Sequence, residues 1–191
     1  MVLFAREVLV SVRDGLLAVL TLGPAYGAQL HAELLGRLAH RRAVNIGQVY
    51  STLDRLGTQG LVRAAGVTDD GLPLYRITAA GAEEAGAWLT AASPGPAPDW
   101  IEMLDAVLMA TSLPDVDIAP LVASYRERWS TEPSSTLDEP QSVLARQASA
   151  LLAAAALDWL TSVETADAEA SDGLGRGYSA ERPRRGRRPA A

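Results

Sequence analysis

The chain has 191 residues, 48% of them hydrophobic, with 17 arginines, no lysine and 23 acidic residues, for a net charge of −6. That length buries a real core and suits one or two domains. The lack of cysteine excludes a disulfide framework and a thiolate metal site, and no run of about 18 uninterrupted apolar residues forms a membrane span.

The N-terminal stretch MVLFAREVLVSVRDG carries Glu7 and Asp14 inside an apolar pattern, which fits neither a signal peptide nor a span. It is expected to extend the first helix or to form an arm on a partner subunit. Leu16, Leu17 and Leu20 belong to that first helix, and Gly23-Pro24 breaks it. Leu30, Leu34 and Leu38 stripe a second helix ending near residues 37–42, with His31 expected on its exposed face and His40 in the following loop.

A third helix starts at Asn45, whose side chain suits an N-cap. Ile46, Val49, Leu53 and Leu56 recur at three- and four-residue spacing and predict a core-facing stripe. Gly47, Gln48, Ser51, Thr52 and Arg55 then fall on the opposite face, where exposed helices usually carry Glu and Lys. Gln pairs well with adenine, Arg with guanine, and Ser or Thr with either bases or phosphates. An ordinary amphipathic surface helix fits the same pattern. Gly60 marks the stop, LVRAAGV predicts a strand, TDDG a turn with Gly71 at positive φ, and LPLYRIT a returning strand. Arg63 and Arg76 fall on the outer face of this hairpin, either solvated or within reach of a phosphate backbone. Three helices followed by a two-stranded wing is a winged helix-turn-helix, the third helix being its reader.

The pieces LLAVLTLGPAYGAQL, NIGQVYSTLDRLGTQGLV and YRITAAGAEEAGAWL resemble the PadR-type transcriptional regulators in order and spacing over about residues 11–90. The resemblance implies that Gly47, Gln48, Tyr50 and Ser51 lie in the helix that enters the major groove, with Tyr50 near a phosphate or, alternatively, mainly in the core. Two departures stand out. Asp69 and Asp70 occupy a wing tip that is usually basic in the family, and Ala28 stands where the family has tyrosine, with Tyr26 nearby.

SPGPAP, residues 93–98, is a linker between a winged-helix domain over 1–92 and a helical domain over 99–165. Trp100, Ile101, Leu104, Val107 and Leu108 suit one helix, Ile118, Leu121, Val122, Tyr125 and Trp129 a second, and residues 141–163 a third with Leu144, Leu151, Leu152, Leu157 and Leu160 near an apolar face. Such helices form the dimer in long PadR-type proteins, and ALDWLTSVE resembles their closing helix. Residues 166–191, ending in RPRRGRRPAA, are expected to be a disordered arginine-rich tail, solvated or weakly attracted to phosphates. Net charge is 0 over residues 1–92, −8 over 93–165 and +2 over 166–191, so the acidity belongs to the helical segment.

The expected fold is therefore mainly α with a small β-hairpin, a winged helix-turn-helix followed by a helical dimerisation domain. The expected function is a cytoplasmic, bacterial, homodimeric repressor on a near-palindromic operator. Gln48, Ser51, Thr52 and Arg55 are expected at or near bases, and Tyr50, Arg41, Arg42, Arg63 and Arg76 on phosphates. Trp88, Trp100 and Trp129 are candidates for a ligand pocket or for core and dimer anchors, since some family members bind drug-like molecules between these helices and aromatic compounds stack on indole. Double-stranded DNA, a second copy and a small aromatic or drug-like effector are the expected partners, with no membrane, metal or cofactor. Two histidines without a triad, metal set or phosphate loop leave an enzyme little to stand on. The alternative is an effector-binding or protein-interaction module on a winged-helix scaffold with little DNA affinity.

Overall fold

The computed structural model describes residues 12–38, 44–92, 97–131, 139–171 and 173–181. By internal contacts the chain divides into two units, one of residues 1–85 together with 176–191, the other of residues 86–175. The division falls inside a helix, between Ala85 and Gly86, and not at the Pro-rich stretch 93–98, four residues of which lie outside the described set.

In the first unit, helix α1 covers residues 12–20 and buries Leu16, Leu17, Ala18, Val19 and Leu20 completely or nearly so. The N–H groups of Thr21, Leu22 and Gly23 turn back onto the carbonyls of Ala18, Val19 and Leu20, and Gly23 takes φ +135°, which ends the helix. Strand β1 (Ala25–Tyr26) leads directly into α2 (Gly27–Arg37), followed by α3 (Ile46–Thr58), β2 (Val62–Val67) and β3 (Pro73–Ile77). Leu30, Leu34, Val49, Leu53 and Leu56 close the core between α2 and α3.

The sheet has three antiparallel strands in the order β1-β3-β2. Ala25 and Tyr26 pair with Tyr75 and Leu74, so the two-residue β1, absent from the sequence expectation, pins the start of α2 to the wing. Helix α4 (Ala79–Thr90) begins where an added Cβ on Gly81 would collide with the Leu61 carbonyl oxygen, a close approach that only glycine permits. The architecture is a winged helix-turn-helix with a helical region after it, as the helical and alternating patterns predict.

The second unit contains α5 (Trp100–Ser112), α6 (Ala119–Ser130) and α7 (Pro140–Glu169). Asp99 caps α5 by accepting from the Glu102 N–H at 2.7 Å. Met103, Ala106, Val107, Met109, Leu121, Val122 and Tyr125 are fully buried. Helix α7 differs: Ala156 and Leu160 are buried, while Leu144 and Leu151 stay 64% and 74% exposed. It is also the one described helix long and apolar enough, at a mean hydropathy of 1.3, to meet a membrane-crossing criterion, although only 11% of that window is buried here.

Three expectations need correction. Disorder does not begin at residue 166: α7 continues to Glu169, and residues 176–181 pack on α1 and α2 of the first unit. Ile46, in the first turn of α3, is 40% exposed, and Thr52 takes its place on the buried stripe of the helix. His31 is half-buried rather than on an open face, with its Nε2 2.8 Å from the Val44 carbonyl oxygen, closing the connection from α2 to α3.

Candidate nucleic-acid interface

Helix α3 is fixed at both ends by local chemistry. Asn45 Oδ1 accepts from the Gln48 N–H at 2.9 Å, and at the other end Gly60 at φ +72° lets the Leu61 N–H return to the Leu56 carbonyl at 2.9 Å. Between these caps, one face carries Val49, Thr52, Leu53 and Leu56 inward. The opposite face exposes Gly47, Ser51, Asp54 and Arg55, with Gln48 half-exposed beside them.

The predicted base-contact residues do not all share one environment. Gln48, Ser51 and Arg55 line the open side of α3. Ser51 Oγ donates to the Gln48 carbonyl at 3.1 Å, which leaves its lone pairs outward. Arg55 folds along the helix, its Nε donating to the Ser51 carbonyl at 3.3 Å and its Nη2 to Thr52 Oγ1 at 3.0 Å. Thr52 itself is 1% exposed, so its expected base contact is corrected: the hydroxyl is an internal acceptor that steadies Arg55.

Tyr50 is 39% exposed, and its ring lies against the α2 N-terminus so closely that a Cβ on Gly27 would overlap the ring. The Tyr50 ring thus packs on Gly27 while part of the side chain stays open to solvent. Gly27 is a residue that the sequence reading did not single out. Its need for glycine becomes visible only once Tyr50 is known to cross over it.

On the wing, Arg63 and Arg76 face each other in the β2–β3 register, and both are exposed. Direct cross-strand partners project to one side of a sheet, so the two guanidiniums form a doubly positive patch. Like charges opposite each other are unfavourable unless an anion lies between them. The tip beyond them is acidic: Asp69 and Asp70 are exposed, Thr68 Oγ1 donates to Asp70 at 2.6 Å, and Gly71 takes φ +79°. A groove of about 520 Å3 runs between α3 and the wing, lined in part by Asp54, Thr58, Arg63 and Tyr75. Burial, helped by the nearby Asp54 carboxylate, raises the Tyr75 hydroxyl above its ordinary pKa, so it stays a neutral donor there. Arg41 and Arg42 lie outside the described residues.

The expected effector residues lie in the second unit. Trp100 meets Trp129 edge-on at 6.5 Å between ring centroids, and tilts against Trp159 at 6.0 Å. Trp129 is buried, and its indole N–H has no hydrogen-bond partner among the described residues. Trp88 is buried on α4. Trp159 completes the aromatic group. The sequence showed it only as part of a closing helix, because its neighbours come from helices roughly 30 to 60 residues earlier.

Residues 16–87 match the family described as the transcriptional regulator PadR-like family. No curated protein matches the chain significantly. Two solved structures are similar over most of their length. Bacillus subtilis PadR in complex with operator DNA is 18% identical over 80% of this chain and 96% of that one, with a TM-score of 0.40. Bacillus subtilis PadR in complex with p-coumaric acid is 17% identical over 81% and 94%, with a TM-score of 0.39. Likeness at that level carries no argument about ligands or assembly. The matched region contains α2, α3, the wing and most of α4, together with every described residue of the candidate interface. Over those residues, rather more than a third of the chain, the sequence is similar to the PadR-like family of transcriptional regulators.

Proposed function

We propose that the protein is a DNA-binding repressor that works as a homodimer, placing one α3 per subunit in successive major grooves of a near-palindromic operator. The observation that carries this reading is the row of exposed Ser51 and Arg55 and half-exposed Gln48 on a helix capped at both ends and buried along its other face. These side chains match base edges and phosphates, and they replace the Glu and Lys expected of a plain surface helix. Half-sites then stand about one helical turn apart. Arg63, Arg76 and the open part of Tyr50 serve the phosphates, as do Arg41 and Arg42 of the preceding connection.

The exposed apolar residues of α7, Leu144 and Leu151, support pairing of two chains through the helical unit. An aromatic effector is the companion reading. Trp100, Trp129 and Trp159 offer ring faces and edges, and the unpartnered Trp129 N–H suits a polar oxygen on such a molecule. The rival, an interaction module with little DNA affinity, is favoured by the Asp69–Asp70 wing tip.

The test uses operator DNA recovered by cross-linking the protein in its host and sequencing what is bound. Gln48→Ala and Arg55→Ala should each weaken operator binding by about 5- to 150-fold, the equivalent of about 1–3 kcal/mol for a lost base contact, with little change on random duplex. Equal losses on both DNAs would remove these residues from base reading. No mobility shift of the wild-type chain at low salt favours the rival.

A further inference from the structure

A single carboxylate, Asp54, stands on the open face of α3, and helical geometry puts it near the middle of that face. At about 100° per residue, Gly47, Ser51, Asp54 and Thr58 all fall within about 30° of the point opposite the buried Val49, Thr52, Leu53 and Leu56. Gln48 and Arg55 lie farther round, about a quarter turn to one flank. Asp54 is exposed, and its carboxylate makes no hydrogen bond or ion pair with another described residue. Arg55, the next residue, turns instead onto the Ser51 carbonyl and the Thr52 hydroxyl. Thr58 Oγ1 donates to the Asp54 backbone carbonyl at 3.0 Å and leaves the carboxylate itself open, at the edge of the groove that Arg63 and Tyr75 also line.

A negative charge in that position has a cost and a use. When α3 enters a major groove, phosphates run along both walls, and a carboxylate between them is repelled by duplex of any sequence. On the groove floor guanine N7 and O6, thymine O4 and adenine N7 are all acceptors, and a carboxylate, which only accepts, has nothing to offer them. The donors are the exocyclic amino groups, cytosine N4 and adenine N6. Adenine N6 lies between two acceptors, its own N7 and the O4 of the paired thymine. Cytosine N4 has guanine O6 on one side and only a C–H on the other, so it is the amino group a carboxylate approaches with least repulsion.

We propose that Asp54 is a specificity-determining residue of α3, accepting from the N4 amino group of one cytosine in each operator half-site and penalising bases that present acceptors there. The proposal rests on the DNA-binding reading above and adds to it a means of rejecting wrong sequences. Gln48, Ser51 and Arg55 gain affinity where the bases match. Asp54 acts chiefly through its penalty where they do not, and discrimination is the difference between the two cases. The zero net charge of residues 1–92 works in the same direction, because it lowers the sequence-independent part of the affinity.

The test measures binding of the full chain and of its Asp54→Asn variant to the operator, to operators substituted at each half-site position in turn, and to random duplex. Asp54→Asn keeps the shape of an exposed side chain and replaces an acceptor-only group by one that also donates. The wild type should show one position where cytosine is preferred over guanine or thymine by about tenfold, with adenine between them. In Asp54→Asn that preference should flatten, random duplex should be bound more tightly, and the ratio of operator to random affinity should fall by about tenfold. Equal gains on operator and random duplex, with every base preference kept, would make Asp54 a repelling charge only and overturn the inference while leaving the DNA reading intact. Unchanged binding to both DNAs overturns it equally. A wild-type chain that binds neither DNA at low salt overturns the DNA reading itself, and the inference with it.

Discussion

The winged-helix unit and the helical unit solve the burial problem differently. In the first, α1, α2 and α3 each hide a full apolar stripe, and even the charged pair Glu33–Arg37 is enclosed, at 2% and 0% side-chain exposure. In the second, α5 and α6 are well buried, but α7 runs for 30 residues and encloses only Ala156 and Leu160 among its described side chains. Its C-terminal half is further held by Trp159 against Trp100 and by Arg126, which donates to Thr161 and Glu164, while Leu144 and Leu151 in the N-terminal half stay exposed. The difference teaches that the described residues of the reader cover one another's apolar stripes, whereas those of the helical unit leave these two leucines of α7 exposed.

The largest expected effect breaks the first half of that comparison. Glu33→Ala removes the partner of a buried guanidinium and should destabilise the winged-helix unit by about 3–5 kcal/mol in chemical unfolding. Glu33→Gln keeps an acceptor and should cost less. Because the folded carboxyl lies below its ordinary range, the unfolded chain binds more protons, and stability rises with pH through this group. Its contribution is fully present above about pH 4.3 and fades as the pH falls below it. Glu33→Gln should lack that acid-side decline, and a variant with the same acid profile as the wild type would show that Glu33 does not set it.

A second, more moderate effect tests the other half. Leu144→Asp/Leu151→Asp alters exposed positions and should leave the stability of the single chain within about 0.5 kcal/mol. Sedimentation should nevertheless show a shift from dimer toward monomer, and operator affinity should fall with it, because two linked half-site contacts become one. An unchanged association state would mean that α7 is covered in some other way or left bare.

The parts legible in the sequence are those in which cause and effect lie within a few residues. Asn45 caps Gln48 three residues on, Gly60 and Gly71 take the positive φ that their turns require, and the alternating strands find their register through a short turn. The missed parts join distant positions. His31 meets Val44 across 13 residues, β1 pairs with a strand nearly 50 residues later, and the tail reaches Glu33 across more than 140. No periodicity encodes such pairings. A low-complexity, arginine-rich composition reads as disorder, although Tyr178 is a large amphipathic side chain in an otherwise small and charged segment, and that was the available signal.

Thr52 was misplaced for a different reason, and it yields the smallest of these effects. Its position three residues after Val49 and four before Leu56 puts it on the buried stripe by helical geometry, but its hydroxyl chemistry argued for the DNA face. The angle wins, since a side chain's direction on a helix is set by backbone geometry while its chemistry only adapts to what it meets. Thr52→Val keeps the shape and removes the acceptor for Arg55 Nη2, so it should cost about 1 kcal/mol or less in stability. If Thr52 steadies Arg55 without touching DNA, the variant should lose only a few-fold in operator affinity and should lose nothing further when combined with Arg55→Ala. An additional loss in the double variant would mean that Thr52 contributes to recognition by itself, and that α3 must turn or open on DNA to expose it.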